Sequence, residues 1–201
     1  MDRAPVPLVG GILVGGASRR FGSPKAMAEL DGVPFAERVA EALAECVDDL
    51  VVIGGGPLPE GLESLPRVAD RSGLAGPLGG ILGFFDAPGP ERGLLVAACD
   101  QPLLDPAALR WLLELRTREA IAVLARLDAG AARLEPLPGL YAPACVPELE
   151  RLAAAGGSLQ PLSRAPGVRI AVPPAALRRA WTSVDTRAAA QALETELRQS
   201  H

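Results

Sequence analysis

Short apolar segments typical of β-strands alternate with helix-like segments along most of the chain, and this alternation limits the fold more than any other feature of the sequence. Such alternation is typical of a parallel sheet with crossover helices on its faces. A chain of 201 residues is long enough for one domain with a large core. We therefore predict a single α/β domain over residues 1–201. It should have a Rossmann-like three-layer fold, with a mostly parallel twisted sheet and helices on both faces.

The apolar pattern also predicts the individual elements. Residues 93–99 form a continuous apolar run, as expected of a strand buried on both faces, and Asp100 follows at its carboxyl end. Asp105 and Pro106 have the residue types that begin a helix. Further strands are predicted at 8–14, 49–53, 67–70, 121–127, 134–141, 169–172 and 181–184, and helices at 34–47, 78–85, 143–155 and 186–197.

A glycine-rich run at residues 13–25 follows the first predicted strand and ends at Lys25, the one lysine of the chain. Glycines allow close approach of backbone N–H groups to a ligand, and cations complement phosphates. Ser18 and Arg19 lie in the same run, so we predict a phosphate-binding loop. It matches neither a Walker A loop nor the dinucleotide fingerprint, because two residues separate Gly22 from Lys25 and no G-x-G-x-x-G is present. The alternative is a glycine-rich surface turn.

Composition excludes several classes of function. The net charge of −4, without a basic stripe, argues against nucleic acid as a partner. No segment has the apolar length of a membrane helix, and three widely spaced cysteines favour a reducing compartment, so we predict a cytoplasmic protein. The only histidine is His201, which leaves carboxylates, Lys25, arginines, backbone amides and a hard metal ion to carry any catalysis.

Three aspartates fall at predicted strand ends, where ligands bind in open α/β sheets. Asp100 is the main candidate for a Mg²⁺ ligand, because Mg²⁺ on a nucleotide needs only one or two carboxylates. Asp185 is either a second ligand or the N-cap of the last helix. Asp70 would accept hydrogen bonds from a nucleotide or form a turn, next to the glycine-rich turn that begins at Gly76.

Four motifs together resemble the molybdenum cofactor guanylyltransferases (MobA family) over residues 8–193. They are L-x-G-G-x-S-x-R-x-G-x-x-K at 13–25, G-P-L-G-G-I at 76–81, C-D-x-P at 99–102 and V-D-T at 184–186. The resemblance implies transfer of GMP from GTP to the terminal phosphate of molybdopterin, with release of pyrophosphate. The family often carries asparagine where Asp185 stands, which weakens the assignment of the base. The G-P-L-G-G-I turn favours the guanylyl branch.

The resemblance also implies roles for individual residues. Lys25, Arg19 and Asp100 would be catalytic, and Asp100, with Asp185 as a second ligand, would bind Mg²⁺. The residues expected to bind the nucleotide are Leu13, Val14, Gly15, Gly16, Ser18, Lys25, Asp70, Gly76 and Asp100.

The first half of the chain, to about residue 105, would hold the nucleotide, and residues 106–201 would face the acceptor. The partners would be GTP and molybdopterin, with other molybdenum cofactor proteins or a molybdoenzyme chaperone as further partners. Alternatives are a CTP-using cytidylyltransferase, a sugar-phosphate nucleotidyltransferase, and a GTP-binding cofactor-delivery protein without catalysis.

Overall fold

The computed structural model describes residues 6–15, 21–22, 24–89, 91–130 and 132–199. Within these residues the strands are β1 (Leu8–Leu13), β2 (Glu29–Leu30), β3 (Val33–Pro34), β4 (Asp49–Ile53), β5 (Arg67–Val68), β6 (Gly93–Ala98), β7 (Ala122–Ala125), β8 (Glu135–Tyr141) and β9 (Val168–Ala171). The α-helices are α1 (Phe35–Ala44), α2 (Pro77–Asp86), α3 (Pro106–Glu114), α4 (Val146–Ala154) and α5 (Arg187–Gln199). Short 3₁₀ helices include Lys25–Met27 and Ala175–Trp181.

Seven strands form one sheet in the order β5-β4-β1-β6-β8-β7-β9. Strands β5, β4, β1 and β6 are parallel to one another, whereas β8 runs antiparallel to both β6 and β7. β9 pairs parallel with β7 at the far edge. The predicted mostly parallel α/β sheet is therefore confirmed, with one reversed strand inside it.

Helices cover both faces of the sheet, because side chains of the central strands alternate between two apolar clusters. In β6, Leu95 and Ala97 pack with α1 and α3 on one face, whereas Leu94 and Val96 pack with α2 and α4 on the other. All four of these side chains are fully buried. β6 is thus continuously apolar because both of its faces are buried, as the sequence predicted.

The start of α3 agrees with its sequence signal. Asp105 precedes the helix, and its Oδ1 accepts a hydrogen bond from the Ala108 N–H at 2.8 Å, with Pro106 at the first helical position. The capping function therefore belongs to Asp105, which leaves Asp100, five residues earlier, available for another role.

One predicted strand is wrong, and one hairpin was not predicted. Residues 181–184 do not form a strand, because Trp181 ends a 3₁₀ helix and β9 already occupies the edge beside β7. β2 and β3 pair as a two-stranded hairpin whose turn has positive φ at Asp31 and Gly32. Two-residue strands are too short to show a periodic pattern in the sequence.

Among the described residues, none of the helices has both the length and the apolar character that a membrane crossing requires.

Candidate nucleotide-binding site

A cavity of about 400 Å³ opens at the carboxyl ends of β1 and β6, between these strands and the first turn of α2. Every predicted nucleotide-binding residue that the structure describes lines this cavity: Leu13, Val14, Gly15, Lys25, Asp70, Gly76 and Asp100. Gly16, Ser18 and Arg19 lie outside the described residues. The edge of the sheet where ligands bind in open α/β folds is thus the edge where the predicted residues meet.

Lys25 joins two carboxylates at the cavity. Its Nζ lies 2.9 Å from Asp100 Oδ2 and 2.5 Å from Asp185 Oδ1, and it donates a hydrogen bond to each. The Lys25 and Asp100 side chains are only 15% and 21% exposed, whereas Asp185 is 62% exposed. Asp100 and Asp185 are 75 and 160 positions from Lys25 in the sequence, so only the fold brings them together.

Backbone hydrogen bonds place Asp100 and Asp185 at the same edge of the sheet. Cys99 N–H donates to Leu13 O at 3.0 Å, which aligns the end of β6 with the end of β1. Val184 N–H donates to Asp100 O at 2.8 Å, which fixes the chain just before Asp185 against the same strand end. The position of Asp185 therefore depends on a tertiary contact and not on its own local sequence.

The Lys25 ammonium is stabilised as a cation. Burial alone lowers the pKa of Lys25, but the hydrogen bonds to Asp185 and Asp100 and the negative charges of both carboxylates outweigh it, so the pKa of Lys25 is raised above its usual value. A positive charge is consequently maintained at the cavity at physiological pH. A permanent charge in a partly desolvated position is suited to a phosphate ligand.

The glycines at the strand ends are required by close backbone contacts. Gly15 has a φ of 97°, and a Cβ there would lie 2.7 Å from Gly55 O. Gly54 has a φ of 99°, and its Cβ would lie 2.3 Å from Val14 O. Any side chain at either position would both clash with backbone and impose a strained conformation, so the loops after β1 and β4 can lie against each other only as glycine.

Asp70 lies beyond the end of β5 and faces the start of α2. A Cβ on Gly80 would lie 3.2 Å from Asp70 Oδ1, so the carboxylate packs over a helix turn that has no side chain there. Desolvation raises the pKa of Asp70. Within the described part of the chain, the Asp70 carboxylate makes no hydrogen bond or ion pair, which leaves its oxygens available to a ligand at the cavity.

Cys99 lines the cavity but is not suited to act as a nucleophile. Burial, mainly, raises the pKa of its thiol to about 12, so the reactive thiolate is not formed at neutral pH. The two tryptophans are packing residues, since Trp111 and Trp181 contact each other edge to face with ring centroids 5.8 Å apart.

Comparison with known proteins identifies the family. The family model for the MobA-like NTP transferase domain matches residues 10–169. The chain belongs to the MobA-like NTP transferase family. It is therefore a nucleotidyltransferase by family, and the resemblance seen in the sequence motifs is confirmed.

Individual relatives agree with this assignment. A protein of Geobacillus sp. (strain WCH70) named "Probable molybdenum cofactor guanylyltransferase" is 31% identical over 150 residues, covering 72% of this chain and 75% of the relative. The crystal structure of molybdopterin-guanine dinucleotide biosynthesis protein A from Archaeoglobus fulgidus has a TM-score of 0.73 at 24% identity, covering 95% and 99% of the two chains.

The same fold also occurs outside the guanylyltransferases. A 2-C-methyl-D-erythritol 4-phosphate cytidylyltransferase from Thermus thermophilus has a TM-score of 0.64 at 17% identity, covering 96% of this chain and 98% of the other. The fold is thus compatible with more than one nucleotide base.

In this MobA-like chain the N-cap of the last helix is Thr186 and not Asp185. The N–H of Ala189 donates to Thr186 Oγ1 at 3.1 Å, so Thr186 caps α5. Asp185 is not needed for capping and contacts Lys25 instead. Of these two adjacent residues, Asp185 therefore contacts Lys25 at the site, and Thr186 caps the helix.

The donor set fits a divalent metal ion that arrives with a nucleotide. Asp100 and Asp185 both bind the same ammonium, so their oxygens already converge on one small cation. Among the described residues no group of three or more His, Cys, Asp or Glu side chains could hold a metal ion by itself. Two carboxylates match the usual Mg²⁺ site, in which phosphate oxygens and waters supply the remaining ligands.

Two residues that shape the cavity were not predicted from the sequence. Leu137, in β8, forms part of the wall. Gln101 is 2% exposed and holds this wall in place, since its Nε2 donates to Leu137 O at 2.8 Å and its Oε1 accepts from Ala98 N–H at 3.1 Å. The position of Gln101 inside C-D-x-P was visible and its bond to Ala98 is local, but its partner Leu137, 36 residues away, is brought to it by the pairing of β6 with antiparallel β8.

Proposed function

We propose that the protein transfers GMP from GTP to the terminal phosphate of molybdopterin, releasing pyrophosphate and forming the guanine dinucleotide cofactor. The observation that carries this proposal is the single lysine held between Asp100 and Asp185 at a cavity lined by the glycine-rich loop. The names of the relatives support the guanylyl reaction, and the G-P-L-G-G-I turn at 76–81 is consistent with it.

In this reaction, a phosphate oxygen of molybdopterin attacks the α-phosphorus of GTP, and the bond from that phosphorus to the bridging oxygen of pyrophosphate breaks. A phosphate dianion is already nucleophilic, so no general base is needed. Catalysis then depends on positioning and charge neutralisation. Leu13, Val14, Gly15, Gly16 and Ser18 would hold the nucleotide together with Asp70 and Gly76, the amides of Gly15 and Gly16 contacting phosphate oxygens. Lys25 and Arg19 would stabilise the charge on the leaving pyrophosphate.

Asp100 and Asp185 would hold Mg²⁺ at the triphosphate. The bound ion would supply additional positive charge to the phosphate oxygens. Lys25 would then leave the two carboxylates and contact the phosphates. A flexible lysine can follow a phosphoryl group in this way more easily than a planar guanidinium.

The two halves of the chain would bind different substrates. Residues to about 105 carry the described nucleotide-site residues apart from Asp185, which fits the nucleotide half. Residues 106–201, including Leu137 in the cavity wall, would face molybdopterin. We place the protein in the cytoplasm, where molybdenum cofactor proteins or a molybdoenzyme chaperone would receive the product.

The first test is calorimetric binding of GTP, CTP, ATP and UTP, with and without Mg²⁺. Wild type should bind GTP preferentially and more tightly with Mg²⁺, and Lys25→Met should lose this binding. Arg110→Ala is the control, because Arg110 pairs only with Glu45 among the contacts of the described residues and lies outside the cavity. Preference for CTP would favour the cytidylyl alternative, and no nucleotide binding would contradict the proposal.

The second test measures chemistry with molybdopterin as acceptor. Pyrophosphate release should require both substrates, and Asp100→Asn should abolish turnover while the melting temperature shows a folded protein. Binding of GTP without any pyrophosphate release would favour a cofactor-delivery protein. Release of pyrophosphate with sugar phosphates in place of molybdopterin would favour a sugar-phosphate transferase.

A further inference from the structure

The segment from Val184 to Arg187 lies beyond residue 169, where the family match ends, and yet it contacts the site at three points. Val184 N–H donates to Asp100 O at 2.8 Å, and Asp185 binds Lys25. Arg187 Nε donates to Phe21 O at 3.1 Å. Three of these four residues thus contact the end of β6, the lysine and the glycine-rich run.

Phe21, near the end of the glycine-rich run, packs against the last part of the chain. Its side chain is 5% exposed and contacts Phe35 edge to face, with ring centroids 6.2 Å apart. It also belongs to an apolar cluster with Val184 and Leu193, so α5 packs against it. Both the side chain and the carbonyl of Phe21 are therefore in contact with the C-terminal segment, four residues before Lys25 in the chain.

The place of Arg187 is not explained by the stability of its own helix. Arg187 is the first residue of α5, where the helix dipole disfavours a positive charge. Thr186 already caps this end. A cation at this position has a physical reason in its hydrogen bond to Phe21 O, and Arg187 also lines a groove of about 280 Å³ with Phe21 and Met27.

We propose that Arg187 is a positioning residue that holds the end of the glycine-rich run, and with it Lys25, at the phosphates of the nucleotide. The last helix, outside the region matched by the family model, is then part of the nucleotide-binding machinery. This inference rests on the proposed function for its effect on GTP, but the contact itself can be tested without any nucleotide.

Steady-state kinetics should separate positioning from chemistry. Arg187→Ala should raise KM and the calorimetric Kd for GTP about fivefold, the effect of losing one partly exposed hydrogen bond, with kcat changed less than about twofold. Arg187→Lys should restore part of the affinity, because its ammonium can still donate to Phe21 O. Arg179→Ala is the matched control, since Arg179 also contacts α5, through an exposed ion pair with Glu196, and does not line the groove beside Phe21.

Amide hydrogen exchange without nucleotide gives a second readout. Residues 25–30 should exchange several-fold faster in Arg187→Ala than in wild type or Arg179→Ala. Unchanged KM and unchanged exchange in Arg187→Ala would overturn the proposal, as would an equal rise of KM in Arg179→Ala or a fall in kcat alone. If Arg187→Ala does not fold, the same KM and exchange measurements are made on Arg187→Lys and compared with wild type. Unchanged values in Arg187→Lys would then overturn the proposal. Failure of wild type to bind GTP would contradict the proposed function, whereas the exchange result would still test the contact.

Discussion

Removing the Lys25 ammonium should have opposite effects on the binding of a metal cation and of an anionic nucleotide at this site. In Lys25→Met the side chain keeps its apolar stem and loses its charge, so Asp100 and Asp185 lose their shared partner. We expect the variant to bind Mn²⁺ more tightly than wild type when no nucleotide is present. We expect it to bind GTP more weakly, because the charge that would contact the phosphates is gone.

The structure gives the size of the effect on Mn²⁺. The contact between Lys25 and Asp100 is mostly shielded from solvent, and a hydrogen bond to a charged group of this kind contributes about 1.5–3 kcal/mol. Asp185 is 62% exposed, which reduces its share to about 0.2–1 kcal/mol. A metal ion must displace the ammonium in wild type but not in Lys25→Met. A difference of roughly 2 kcal/mol corresponds to a Kd about 30-fold lower for the variant.

The assay is titration of Mn²⁺ followed by electron paramagnetic resonance of the free ion, with calorimetry as a check. Arg110→Ala serves as the control, because it removes a surface cation outside the cavity. An unchanged or higher Kd for Mn²⁺ in Lys25→Met would refute the view that the ammonium and the metal ion compete for the same two carboxylates.

Three further predictions concern stability. Gly83→Ala should lower the free energy of unfolding by about 1–3 kcal/mol, against the usual gain for this change in a helix, because its Cβ would lie 2.1 Å from a backbone oxygen of Ala69. Urea denaturation measures this, and Gly130→Ala, with open space around it, should be near neutral. Gln101→Leu should cost about 1–3 kcal/mol in the same assay, since buried Leu137 O loses its donor; an unchanged midpoint would argue against this bridge. Because the pKa of Lys25 is raised in the folded state, its ammonium contributes fully to the free energy of unfolding at pH values below its ordinary pKa of 10.5. That contribution is lost as the pH rises through the raised pKa. The stability difference between wild type and Lys25→Met should therefore stay constant from about pH 7 to pH 9 and close above pH 10.5; a difference that closed below about pH 9 would contradict it.

Strongly patterned segments were predictable because their information is local. β4 was predicted at its observed bounds, and β6 to within one residue, since a strand buried on both faces needs a continuous apolar run. Asp105 and Pro106 signalled the start of α3 for an equally local reason. The glycine-rich run and the aspartates at strand ends indicated the site for the same reason: the backbone conformation and charge that a phosphate requires are properties of short segments.

Other features were decided only by the tertiary structure. The sequence pattern predicted a strand at 181–184. In the structure, Val184 instead donates a hydrogen bond to Asp100 O, which places Asp185 next to Lys25. The reversal of β8 was also not predictable, because apolar patterning is the same for parallel and antiparallel pairing. The hydrogen bond from Gln101 to Leu137 O, 36 residues away, likewise depends on the tertiary structure.

The sequence by itself determined which residue types the site contains, because glycines, a lone lysine and strand-end aspartates are encoded one segment at a time. The tertiary structure decided how they combine. Lys25 bridges carboxylates 75 and 160 residues away, and no local pattern specifies such a contact. It arises because the parallel order β4-β1-β6 brings separate strand ends together, and because α5 packs its preceding segment against them.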